Sequence, residues 1–308
     1  MSEMKYVFGP VPSRRLGISL GISPIPKKTC NYSCVYCQLG RTNPLTNKRT
    51  MFFPIDDIIS EFEQIQKSKI KYDVITIVGE GEPTLYLGLG ELIYAIKERT
   101  QIPIAVITNG ALLYDVEVRN ALYSADIVLP TIDAYNQNTL KEINRPHGSI
   151  DFDKVKEGMI EFSKNYKGQL WIETMLIDGM NDSLDFLNKY KKFLKNFKYE
   201  RLYINTPVRP PAEEFVRPID SEKMKKAVDI LEGISIDLLE SEGFHSEIKD
   251  HYKAILSIIK RHPMNQFEIE EFLKLRGCEN IDELLCRLGK DDNIIVLSYK
   301  GYNTYRIK

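Results

Sequence analysis

The sequence predicts an α/β fold, an open six-stranded partial (β/α)6 barrel over residues 1–242 followed by a small winged-helix-like domain over residues 243–308. Three observations predict it. Short β-branched runs alternate with helix-period segments from residue 18 to about residue 238, the pattern of strand-helix units that build a parallel sheet. About six such units occur, too few to close an eight-stranded barrel. After about residue 243 the pattern changes to short helical segments and a hairpin. Periodicity alone describes a doubly wound sheet equally well.

In order, residues 18–22 form a first strand that runs into a loop holding three cysteines. Pro54 then opens a helix in which Ile55, Ile58, Ile59, Phe62 and Ile65 recur at three- and four-residue intervals, so one face packs on a sheet. Strands follow at residues 74–78, 104–107, 127–132, 170–176 and 202–204, separated by helical patterns near 89–98, 113–122, 153–165 and 183–195. Beyond residue 243, Tyr252, Ile255, Leu256 and Ile259 mark one helix, and residues 267–275 and 281–288 mark two more. Residues 293–298 and 302–307 read as a hairpin turning near Lys300 and Gly301. Three helices and a hairpin describe a winged helix, a module that often docks DNA. From residue 247 to the end, however, 11 Lys and Arg face 10 Asp and Glu, and phosphate neutralisation normally calls for more positive charge. Peptide or protein recognition, or packing against the barrel, fits at least as well. Cys278 and Cys286 read as small buried apolar residues.

Composition fits a cytoplasmic enzyme. The chain has 308 residues, 43% hydrophobic and 28% charged, with 42 basic against 43 acidic side chains, so it is globular and its overall charge announces no nucleic-acid partner. No apolar run approaches the roughly 18 residues that span a membrane, and the first residues do not begin a signal peptide. The expectation is a soluble protein with no membrane partner, in a reducing compartment that keeps thiols available as ligands.

The cysteines carry the chemistry. Cys30-Asn31-Tyr32-Ser33-Cys34-Val35-Tyr36-Cys37 has the spacing C-x3-C-x2-C. Three thiolates from one loop wrap a four-iron cluster and leave its fourth iron for a non-protein ligand. A structural zinc site wants four Cys or His ligands, and no fourth lies near the loop. Disulfides are disfavoured by five cysteines, an odd number, in a chain without a secretory leader. Further on, the buried run Val74-Ile75-Thr76-Ile77-Val78 breaks into Gly79-Glu80-Gly81-Glu82-Pro83-Thr84. Glycines at a strand's carboxyl end let the backbone approach a ligand, and a carboxylate beside them holds an ammonium group.

The cysteine spacing, with aromatic Tyr36 before the last thiol, and the Gly81-Glu82-Pro83 run resemble the signatures of the radical S-adenosylmethionine superfamily. The resemblance implies a [4Fe-4S] cluster on Cys30, Cys34 and Cys37, and S-adenosylmethionine bound at its open iron. It gives Glu82 the methionyl amino group, with Gly81, Pro83 and Tyr36 in the cofactor site. Its core fold is the same open barrel. It also implies an external donor of flavodoxin or ferredoxin type, and reductive cleavage to methionine and a 5'-deoxyadenosyl radical that removes hydrogen from a substrate.

Other strand ends carry polar groups suited to completing the cofactor site. Thr108 and Asn109 follow the third strand, where hydroxyl and amide suit bonds to ribose or adenine. Asp133 follows the fourth, as a carboxylate for two ribose hydroxyls. Glu173 lies within the fifth, where alternation lets it point either way. Three segments read as substrate determinants: the turn-rich stretch with Arg14 and Arg15, the Asn144-Arg145-Pro146-His147 run, and the stretch after the sixth strand with Asn205 and Arg209. With the cysteine loop they resemble a family of archaeal and bacterial proteins related to the wyosine-base synthase of transfer RNA. The expected substrate is accordingly a transfer RNA, a peptide or protein, or a small molecule held by Arg209 or Arg145. The alternative is a non-catalytic iron-sulfur redox sensor that controls a DNA-binding winged helix.

Overall fold

The computed structural model describes residues 4–68, 70–236, 244, 246, 248–260, 262–299 and 301–308. Its main sheet holds β1 (Val7–Ser13), β2 (Gly17–Ile22), β3 (Val74–Ile77), β4 (Ile104–Thr108), β5 (Ile127–Pro130), β6 (Gln169–Met175), β7 (Arg201–Asn205) and β8 (Ile234–Ser235). Strand order in space equals order in the chain. β1 runs antiparallel to β2, and every later neighbour is parallel, with Ser19 beside Val74, Ile75 beside Ile104, Ala105 beside Ile127 and Trp171 beside Arg201. Such a sheet is wound in one direction, whereas a doubly wound sheet reverses its order. The open-barrel expectation holds, and the doubly wound alternative falls.

The six expected strands are β2 to β7. β1 was hidden because Gly9, Pro10 and Pro12 read as turn residues, yet an edge strand tolerates proline, and β1 absorbs these residues with an irregular register between Phe8 and Val11. The connecting helices are α1 (Ile55–Lys67), α2 (Leu89–Lys97), α3 (Val116–Leu122), α4 (Gln137–Ile143), α5 (Phe152–Asn165), α6 (Leu184–Leu194) and α7 (Ser221–Leu231). Five of them start on a side-chain cap, where Asp115, Asn136, Asp151, Ser183 or Asp220 accepts a backbone N–H of the first turn. Their apolar faces, such as Ile58, Phe62 and Ile65 of α1, pack with Ile75 and Ile77 of β3 in the main core. Inside the barrel a second apolar layer joins Leu16, Val74, Ala105, Leu129, Trp171 and Tyr203. Polar residues lie beyond that layer, with Ser19 Oγ 2.5 Å from Thr76 Oγ1 across two strands.

The carboxyl-terminal part comprises α8 (His251–Ile259), β9 (Met264–Asn265), α9 (Gln266–Leu275), α10 (Ile281–Lys290), β10 (Ile294–Tyr299) and β11 (Tyr302–Ile307). These three strands form a separate sheet in the order β10, β11, β9. Ile255, Met264, Ile269, Phe272, Leu288 and Tyr305 give this part its own core, against which Val11 of β1 also packs. The expected helices and hairpin are present, and β9 escaped notice because two residues carry no period. Cys278 packs partly against this core, but Cys286 is exposed, correcting its assignment as buried. The expected boundary at residues 242 and 243 and the turn residue Lys300 lie outside the described residues. Among the described residues no helix is long and apolar enough to cross a membrane.

Candidate active site

After β2 the chain crosses the carboxyl ends of the parallel strands as the cysteine loop. Its backbone is held by hydrogen bonds to a distant segment: Ser33 N–H donates to the Asn144 carbonyl (2.9 Å), Val35 N–H to Ile143 (2.9 Å), and His147 N–H to the Asn31 carbonyl (2.8 Å). Residues 143–147 are therefore a splint for the loop. Cys30, Cys34 and Cys37 line one cavity of about 520 Å3. Cys30 Sγ accepts from Tyr32 N–H (3.4 Å) and from Asn109 Nδ2 (3.6 Å), and Cys34 Sγ accepts from Asn144 Nδ2 (3.4 Å). Burial pushes all three thiols up, against the pull of Tyr32 N–H at Cys30, of Asn144 and Tyr36 at Cys34, and of Leu39 N–H, then Arg306 and Lys28, at Cys37. A metal is then needed to deprotonate them at neutral pH. Among the described residues no three His, Cys, Asp or Glu side chains gather around a point that one ion could fill. Three thiols on one cavity wall, with donors already aimed at sulfur, fit a cluster that offers each its own iron.

The Gly-Glu-Pro turn packs directly on this loop. Glu82 N–H donates to the Thr29 carbonyl (3.0 Å), and a Cβ on Gly81 would lie 1.8 Å from that same oxygen, so only glycine fits. Glu82 is buried and accepts four bonds: on Oε1 from Thr84 N–H (3.0 Å), Thr84 Oγ1 (2.6 Å) and Thr108 Oγ1 (2.6 Å), and on Oε2 from Asn109 N–H (2.7 Å). Burial pushes this carboxyl up while the donors hold it down. Oε2, with one bond, retains a lone pair for a cationic donor in the cavity that Glu82 lines. Pro83 opens the short turn Pro83–Leu85 that Glu82 caps.

Several expected ligands turn out to support other groups. Thr108 and Asn109 line the cavity, but the Thr108 hydroxyl serves Glu82, and the Asn109 amide bridges Cys30 and Asn31. Asp133 does not line the cavity. Its Oδ2 accepts from Tyr36 OH (2.5 Å) and Asn144 Nδ2 (2.7 Å), and its Oδ1 from Met175 N–H (2.8 Å), so its geometry ties the loop to β6. Burial raises its carboxyl to about 6. Tyr36 does line the cavity.

Among the substrate candidates, Arg15 points into the cavity and pairs with Glu173, which settles the orientation of Glu173. Arg14 is exposed at the cavity lip, and Asn205 lines its wall. Arg145 and His147 lie outside. Arg145 joins Arg41 on buried Glu213 (2.5 and 2.9 Å), and His147 Nδ1 meets Ser149 Oγ (2.9 Å). Arg209 lines the cavity but spends its guanidinium on Glu268 (3.3 Å), His262 (2.7 Å) and the Pro263 carbonyl, clamping α9 to the barrel rim. Sequence reasoning missed Asn144 as a partner of Cys34 and Arg306 as a neighbour of Cys37. Asn144 stood in a segment singled out for another role, and Arg306 has no local signal.

The pattern of the Radical SAM superfamily matches residues 25–190. The chain belongs to the radical SAM superfamily. Within it, this radical SAM chain is 38% identical to a UPF0026 protein of Methanocaldococcus jannaschii over 97% of its own length and 94% of that protein. A Brachyspira hyodysenteriae protein named GTPase Obg is 43% identical over 77% of the chain, which covers only 35% of that protein. A solved structure of TYW1 with a lysine-pyruvate adduct bound superposes with a TM-score of 0.52 at 17% identity, covering 70% of this chain and 72% of that one, a likeness of fold.

Proposed function

We propose that the protein is a radical SAM enzyme holding a [4Fe-4S] cluster on Cys30, Cys34 and Cys37 and S-adenosylmethionine against Glu82. The observation that carries the reading is the contact between the two motifs: the backbone of Glu82 is bonded to Thr29, next to the first cysteine, so carboxylate and thiols line one cavity. When bound and reduced by an external donor of flavodoxin or ferredoxin type, the cluster supplies the electron that splits the sulfonium into methionine and a 5'-deoxyadenosyl radical. The chain's part is positioning. Glu82 orients an ammonium group, Thr84, Thr108 and Asn109 fix Glu82, Asn109 and Asn144 donate to the Cys30 and Cys34 sulfurs that would ligate the cluster, and the apolar layer beneath the cavity keeps water from one side.

The helix, strand, helix, helix, hairpin order of the carboxyl-terminal part supports a winged-helix-like domain, and the protein is read as cytoplasmic. Glu268 and Phe272 of α9 line the same cavity as the cysteines, so this part partly closes the mouth. That favours a small molecule, or an extended end of a peptide or transfer RNA, over a folded surface. A redox sensor would leave the Glu82 cradle without a task.

The test is anaerobic reconstitution with iron and sulfide, then reduction with S-adenosylmethionine present. Release of 5'-deoxyadenosine is expected; zinc in place of iron, or an iron-sulfur spectrum unchanged by the nucleotide, overturns the reading. Cys34→Ala should lose the cluster, and Glu82→Ala should keep it while binding the nucleotide at least tenfold more weakly, read by equilibrium titration.

A further inference from the structure

The strand β11 of the carboxyl-terminal part ends against the cysteine loop. Arg306 Nη1 donates to the Gln38 carbonyl (3.0 Å), immediately after Cys37. A Cβ built on Gly40 would lie 3.7 and 3.9 Å from the Arg306 nitrogens and 3.8 Å from Lys28 Nζ, so two cations bracket the turn that Gly40 N–H closes on the Cys37 carbonyl (3.0 Å). The end of the strand is fastened to the same loop, because Lys27 Nζ donates to the Lys308 carbonyl (2.7 Å). No carboxylate among the described residues forms an ion pair with Arg306. Arg306 is itself only partly exposed.

A partly buried cation without a carboxylate partner calls for an anion. Three thiolates with a four-iron core supply one. Adding an electron makes that anion more negative by one charge, and a fixed cation at its edge stabilises the reduced form more than the oxidised form. Reduction potentials of such clusters follow net charge, hydrogen bonding and solvent exposure.

Resting on the function proposed above, we propose that Arg306 is a positioning residue for the cluster: it raises the cluster's reduction potential from the carboxyl-terminal hairpin, so that hairpin docking and cluster reduction favour each other. The reciprocity is thermodynamic. If the docked hairpin eases reduction, the reduced cluster tightens docking by the same factor.

The test uses the full chain, reconstituted without S-adenosylmethionine and titrated anaerobically with the reduced cluster followed by electron paramagnetic resonance. Arg306→Gln should move the midpoint to more negative potential, and Arg306→Lys, which keeps the charge, should stay near wild type. Equal midpoints for all three at equal iron content overturn the inference, as does an equal shift in both variants. Wild-type protein gives a second readout: reduction should slow hydrogen exchange of the amides in residues 302–307 several-fold, and exchange indifferent to redox state sinks the coupling. A wild-type chain that takes up no iron-sulfur cluster refutes the function reading and this inference together, whereas a loaded cluster with an unmoved midpoint refutes this inference alone.

Discussion

Gly81 shows how one missing atom joins two motifs. Its hydrogen faces the Thr29 carbonyl, and a methyl group there would sit 1.8 Å from that oxygen, with the Thr29 carbonyl carbon at 2.6 Å. Both neighbours are backbone, so neither rotates away. Gly81→Ala must push the glutamate turn off the cysteine loop, at a cost of about 3 kcal/mol or more, the upper range of ordinary overpacking. Chemical denaturation should show that loss, and iron content after reconstitution should fall with it. Gly148→Ala is the control, because nothing lies within 4 Å of its added carbon, and its denaturation midpoint should be unchanged or slightly higher. The two motifs themselves were legible because each is local. Their contact was not, since nothing in a linear sequence says that Thr29 will meet Gly81.

Elements explain most of what was legible and what was hidden. β3 to β7 announce themselves by β-branched runs between turn residues, and α1 by its three- and four-residue spacing. β1 was masked by its glycine and prolines, while β8 and β9, at two residues each, carry no pattern. The splint of residues 143–147 is harder still, because its bonds to the cysteine loop are made by backbone atoms, which any sequence supplies. Asp133 is the side-chain centre of that arrangement, joining Tyr36 of the loop, Asn144 after α4 and Met175 of β6. Desolvation dominates its titration, with the folded value raised from 3.8 to about 6. Above pH 6 both folded and unfolded chains hold the carboxylate charged, and the fold carries the burial penalty. Between pH 6 and 4 the folded chain binds a proton before the unfolded chain does, so this group's contribution to stability rises as pH falls, by roughly 3 kcal/mol in all. Denaturation of iron-free protein at pH 7 and pH 4 should show that rise in wild type relative to Asp133→Asn. A difference between the two proteins that stays constant with pH would remove Asp133 from this role.

Among the described residues, the barrel and the carboxyl-terminal part meet through Val11 in the apolar contact, Lys27 and Arg306 at the strand end, and Arg209 on Glu268, His262 and Pro263. An arginine at a strand end reads equally well as a substrate ligand until its partners are known, and those partners lie more than fifty residues away. The clamp contains its own titrating group. His262 lies against Phe244 with ring centroids 5.2 Å apart, and burial first, then Arg209 and Arg14, hold its imidazole well below the usual 6.5. The folded chain thus keeps His262 neutral where the unfolded chain protonates it. Above pH 6.5 the two states agree and the contact is at full strength; as pH falls through 6.5 the unfolded or undocked chain gains a proton that the clamp refuses, and docking weakens. This slope is opposite in sign to that of Asp133, so the two separate by variant. Arg209→Ala should loosen the carboxyl-terminal part by about 1–3 kcal/mol at neutral pH, the cost of leaving the Pro263 carbonyl without this donor and Glu268 without its cation. Hydrogen exchange at α9 reads this directly. In wild type, exchange there should quicken as pH drops from 7 to 5.5 once the intrinsic pH dependence is divided out, and in His262→Phe that acceleration should vanish. Persistence of the acceleration in His262→Phe would place the pH-sensitive contact elsewhere in the interface.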